Sequence, residues 1–63
     1  MPHNQITMLA GRTPDQKRKV AERITETIVQ EMGTQPDNVT IAFVEVATTD
    51  FAKAGVLNSD KKK

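Results

Sequence analysis

The stretch Val39 to Ala47 (VTIAFVEVA) constrains this chain more than any other part of it. It is rich in β-branched residues, with Val39, Ile41 and Phe43 on one side of an extended backbone and Ala42, Val44 and Val46 on the other. That pattern predicts a strand covered by protein on both faces. The chain has 63 residues, enough for one domain at the size where a single core barely offsets chain entropy. It has no cysteine to form a disulfide, and its one histidine, His3, cannot assemble a Cys/His zinc site. Two phenylalanines, Phe43 and Phe51, are its only aromatic residues. The remaining source of cover is another copy of the chain, so the sequence predicts an oligomer.

The rest of the chain supplies one helix and one further strand. Residues His3 to Leu9 (HNQITML) place Ile6 and Met8 on one face and Gln5, Thr7 and Leu9 on the other, as in a short strand of mixed exposure. Thr13-Pro14-Asp15-Gln16 then reads as a helix start: a hydroxyl N-cap, proline at the first helical position, an acid facing the positive helix end, and a capping-box glutamine. Val20, Ala21, Ile24, Ile28 and Met32 recur at helical spacing, while Lys17, Arg18, Glu22, Glu26 and Gln30 fall away from that stripe. The prediction is an amphipathic helix from Pro14 to Met32, ended by Gly33 in the left-handed conformation. Strand, helical crossover and strand imply a parallel pair connected right-handedly. Thr48 to Asn58 reads as a loop or short hairpin reaching a neighbouring subunit. One domain is expected over residues 2–58, followed by a flexible tail over 59–63.

Charge excludes more than it suggests. Nine Lys plus Arg stand against eight Asp plus Glu, which gives no strong field for nucleic acid or a membrane surface. No apolar run is long enough to span a bilayer, and the polar start does not read as a secretory signal, so the expected setting is cytoplasmic. A short strand followed by a helix also opens the ribbon-helix-helix DNA-binding dimers. That reading needs a second helix and basic residues on the first strand, and the sequence offers neither.

Pro2 carries the first chemical possibility. Removal of Met1 would leave its secondary amine free, a usable general base where the surroundings disfavour the ammonium form. The chain as a whole, from Pro2 through the Gln5-Ile6 pair, Leu9, Gly11-Arg12, Asp15 and Gln16-Lys17 to Val39, Glu45, Ala47, Phe51 and Gly55, resembles the 4-oxalocrotonate tautomerase family. The resemblance implies an α/β (α+β) fold, a β-α-β protomer whose sheets are completed by oligomerisation as a homohexamer, a trimer of dimers. It implies an isomerase that uses no cofactor and no metal and moves a proton in small enol or dienol 2-oxo acids. Pro2 would be the base, Arg12 would grip the carboxylate of the small-molecule substrate, and Phe51 would wall the pocket and exclude water.

One position departs from the pattern. The family's dicarboxylate enzymes carry a second arginine where this sequence has Thr40, which brings a hydroxyl and no charge. This leaves open a diverged member of the same fold with hydratase-like, dehalogenase-like or no activity. Lys53 is a weaker candidate for a replacement cation, and Glu45 reads as a residue at the sheet's exposed end or paired with a cation at an interface. His3 is expected on the strand face opposite Pro2 and receives no role from the sequence.

Overall fold

A computed structural model describes residues Met1–Asp60. Its body is β1 (His3–Leu9), α1 (Pro14–Met32) and β2 (Thr40–Val46), with β1 and β2 paired in parallel. The crossover helix runs between the bounds the sequence predicts, because each terminus is fixed locally. Thr13 Oγ1 accepts the Gln16 N–H at 3.2 Å while Gln16 Oε1 accepts the Thr13 N–H at 3.0 Å, a reciprocal capping box. At the other end Gly33 takes φ 67°, ψ 38°, and its N–H donates to the Val29 carbonyl at 3.1 Å. The second strand is shorter than the apolar stretch by one residue at each end. Val39 closes the 3₁₀ turn Pro36–Asn38 by donating to the Pro36 carbonyl, and Ala47 precedes a second such turn, Thr48–Asp50.

The register Ile6↔Phe43 fixes the two faces of the pair. Asn4, Ile6 and Met8 share a face with Ile41, Phe43 and Glu45, and that is the face α1 covers, since Lys17 Nζ reaches Glu45 Oε2 at 2.8 Å. Glu45 stands exposed near the end of β2, as the first of its two readings expects, and its cation is Lys17 of its own helix. One expectation is corrected: Lys17, expected to fall away from the inward stripe, belongs to it. The half-buried helix positions are Lys17, Ala21, Ile24, Thr25, Ile28 and Val29, whereas Val20 and Met32 are 42% and 66% exposed. The lysine stem takes an inward position beside Ile6, Met8 and Phe43 with its charge held by Glu45.

On the opposite face stand His3, Gln5, Thr7 and Leu9 with Thr40, Ala42, Val44 and Val46. His3, Gln5, Thr7, Thr40 and Val44 are all exposed there. The C-terminal region forms a hairpin of β3 (Ala52–Lys53) and β4 (Val56–Leu57), closed by a two-residue turn with positive φ at Ala54 and Gly55. The hairpin packs chiefly against the turns beside it, and Phe51, Val56 and Leu57 are 43%, 51% and 38% exposed. Of the expected tail, Ser59 and Asp60 lie in the 3₁₀ turn Asn58–Asp60, and residues 61–63 lie outside the described residues.

No described residue is buried. The protomer exposes 5219 Å², against about 4,000 Å² for a compact folded chain of this mass. Its radius of gyration is 15.0 Å, where a compact chain of this length has about 11 Å. The excess surface is of the order of one standard protein interface, roughly 1,200 Å². A protomer of this shape holds secondary structure but, among the described residues, no buried core.

Candidate active site

Arg12 is set by the turn that ends β1. Ala10 N–H donates to the Val46 carbonyl at 2.9 Å, the last bond of the ladder, and Gly11 then takes φ 126°, a conformation open to glycine and strained for other residues. The chain so turned delivers Arg12 to the mouth of a groove of about 450 Å³, lined by Ile6, Met8, Gln16, Lys17, Val20 and Phe43 as well. The lining is mainly apolar, and its polar groups are mostly occupied. Gln16 Oε1 is held in the capping box, and the Lys17 charge is matched by Glu45. The two ion pairs formed among the described residues are Lys17–Glu45 and Arg18–Asp15, and neither involves Arg12. Arg12 is therefore the cation of this groove left to bind an anion, beside low-polarity walls that strengthen its pull.

Pro2 sits half-buried just before β1, behind Met1, which is 86% exposed and outside any element. The Pro2 carbonyl accepts the Thr40 N–H at 3.1 Å, so β2 anchors the residue from the side. Thr40 also joins His3 through a hydrogen bond between Oγ1 and Nδ1 at 2.6 Å, and its carbonyl accepts from Asn4 Nδ2 at 3.3 Å. Phe51 stands elsewhere again, at the start of the hairpin, its carbonyl accepting the Asn58 N–H at 2.8 Å.

Within one protomer the three residues singled out from sequence are not together. Pro2 precedes a seven-residue strand and Arg12 follows it, a separation of roughly 20 Å along the strand. Phe51 is not among the residues lining the Arg12 groove. Sequence reasoning also passed over the His3–Thr40 pair, because the contact depends on the register His3↔Thr40 between strands 37 positions apart in the chain. Among the described residues no three His, Asp or Glu side chains converge as a metal cluster would require.

Comparison with known proteins agrees with this architecture. The family model described as tautomerase enzyme matches residues 2–61. The 2-hydroxymuconate tautomerase of Comamonas testosteroni is 38% identical over 56 residues, 89% of each chain. A 2-hydroxymuconate tautomerase of Bacillus subtilis is 33% identical over 60 residues, 95% of this chain and 97% of the relative. Among solved structures, a 4-oxalocrotonate tautomerase homologue superposes with a TM-score of 0.93 at 35% identity over the full length of both chains. The near-complete overlap in sequence and in fold leaves one assignment: the chain belongs to the tautomerase enzyme family, and it is an isomerase.

Proposed function

We propose that the chain is a cofactor-independent tautomerase of small enol or dienol 2-oxo acids, with the Pro2 amine as general base once Met1 is removed. The observation that carries the reading is Arg12, in no ion pair among the described residues, at an apolar groove past one end of β1, with a half-buried Pro2 anchored through its carbonyl just before the other end. Two relatives similar along nearly the whole chain are 2-hydroxymuconate tautomerases, which supports a substrate of that kind. Met1 can leave without loss to the fold, since it belongs to no element. The nitrogen then changes from an amide, whose lone pair is delocalised, to a secondary amine with a basic one.

In the reaction Pro2 takes the proton of the 2-hydroxyl group and returns it to a carbon of the conjugated system, leaving the ketone. Arg12 grips the carboxylate and stabilises charge that develops along the double bonds. Phe51 covers the pocket and keeps water from the nitrogen, which favours the neutral amine. Because Pro2 and Arg12 of one protomer lie roughly 20 Å apart along the strand, a small substrate meets both only where two protomers join. The homohexamer, a trimer of dimers, supplies that junction and the burial the isolated protomer lacks.

The test is an assay of the purified protein, with intact mass confirming an N-terminal proline, on 2-hydroxymuconate and on phenylenolpyruvate. Ultraviolet absorbance should report ketone formation, and Pro2→Ala should lower kcat by about 10²- to 10⁴-fold. Full turnover by protein that retains Met1 would overturn the role of the proline. Hydration or dehalogenation of unsaturated acids without ketone formation would replace the reaction.

A further inference from the structure

Lys53 reads from sequence as one charge in a loop or short hairpin, and the structure sets it in a hairpin ladder. It pairs with Val56 next to the two-residue turn at Ala54 and Gly55, which fixes the direction of its side chain. The ladder runs back to Phe51, whose backbone is extended at φ −131°, ψ 124° and whose carbonyl accepts the Asn58 N–H. Phe51 and Lys53 lie two residues apart on one extended run, so their side chains stand on the same face, roughly 7 Å apart along it. Val56, directly opposite Lys53, shares that face. Phe51 and Val56 are 43% and 51% exposed, more than Leu57 on the other face at 38%. Apolar side chains open to this degree mark a contact surface, and whatever covers them also covers the ammonium beside them. A charge taken out of water needs an opposite charge. The protomer supplies none, since Lys53 forms no ion pair among the described residues, with Asp50 and Asp60 of the adjoining turns included. The groove of about 280 Å³ that it lines with Ala54, Val56, Leu57 and Asn58 has no carboxylate in its wall.

We infer that Lys53 is a specificity-determining residue of the proposed reaction: it enters the site on the hairpin face that carries Phe51, and its ammonium takes the second carboxylate of a dicarboxylic substrate. The inference rests on the tautomerase reading above, which sets Phe51 over the pocket. Arg12 grips one carboxylate and Lys53 the other, so an acid with two is held at both ends and an acid with one at a single end. Lysine suits this role, because a compact charge on a flexible stem binds a carboxylate without demanding one orientation. A contact made equally before and during proton transfer lowers KM and leaves kcat unchanged. Lys53 therefore governs which acid is chosen, and Pro2 governs how fast it reacts.

Muconate and sorbate, linear dienoic acids of equal length that differ by one carboxylate, separate binding from chemistry. In the assembled, proline-terminated protein, calorimetry should show muconate binding about tenfold more tightly than sorbate, the worth of one charge-assisted bond. Lys53→Met, which keeps the stem and removes the charge, should erase that difference, and Lys53→Arg should restore most of it. Turnover gives the second readout. Lys53→Met should raise KM for 2-hydroxymuconate about tenfold, with its kcat and the turnover of phenylenolpyruvate within about twofold of the parent. Thermal midpoint and assembly size should match the parent, which an ion pair across an interface would not allow. Equal affinity of the parent for muconate and sorbate, or a preference that survives Lys53→Met, would overturn the inference, and so would a Lys53→Met protein that loses its assembly. Turnover that survives Pro2→Ala would instead refute the parent reading, and the comparison of muconate with sorbate would still decide the role of Lys53.

Discussion

At its first residue β1 joins a hydrogen-bonded cluster of His3, Asn4 and Thr40, whereas just past its last residue the chain opens onto an apolar groove that carries Arg12. The first end has hydrogen-bonding side chains and a backbone-anchored proline, with a second groove lined by Asn4, Ile24 and Ile28 on its helix side. The second has apolar walls and a guanidinium that forms no ion pair among the described residues. Under the proposed reaction each end holds half of what proton transfer on a carboxylic acid needs, with the length of a strand between the halves. An association of protomers that joined opposite ends would then complete the proposed site and supply burial the protomer lacks.

The sharpest way to break this contrast is to inactivate the two ends in different chains. Pro2→Ala and Arg12→Ala proteins, unfolded together and refolded as a mixture, should regain turnover that neither parent shows alone. A mixture as inactive as its parents would place both residues in one protomer's site or remove one from it. Next in size, Arg12→Ala in every chain should lower kcat/KM by roughly 10- to 100-fold, the cost of one charge-assisted bond. A change confined to assembly size would make the arginine structural.

Smaller effects test whether the cationic end is held by the helix start. Thr13→Ala removes the capping box adjoining Arg12 and should cost about 1 kcal/mol in urea denaturation. Activity well below the transition should persist, unless the cap also sets the arginine's position. Smallest of all, Glu45→Gln frees Lys17 from a partly exposed ion pair and should change stability by less than about 1 kcal/mol. It should also add a second unpaired cation to the groove, read as a lower KM for a dicarboxylate than for its monoacid counterpart.

Much of the body was legible in the residues because its signals are local. Thr13 to Gln16 and Gly33 bound the helix by bonds made within four residues, and alternation put Ile6 with Met8, and Ile41 with Phe43, on shared strand faces. The inward stripe was less legible. Composition ranks Val20 above Lys17, but the sheet sits under one side of the helix, and a lysine stem with Glu45 within reach fills that side. At the candidate site, Pro2 and Arg12 stood out by position next to the strand and its glycine turn and Thr40 as a departure from the family pattern, whereas the contact between His3 and Thr40 did not. Their meeting requires the register of two strands separated by a helix, which no window of sequence contains.

By itself the sequence determined the elements, their order, the helix boundaries and the need for cover on a strand apolar on both sides. These follow from bonds and periodicities that span a few residues. Tertiary structure decided which side chains of the two strands share a face, and that Glu45 neutralises Lys17 and leaves Arg12 without an ion pair among the described residues. Those are distances between parts of the chain far apart in sequence, set by a parallel pairing whose register local preference cannot specify.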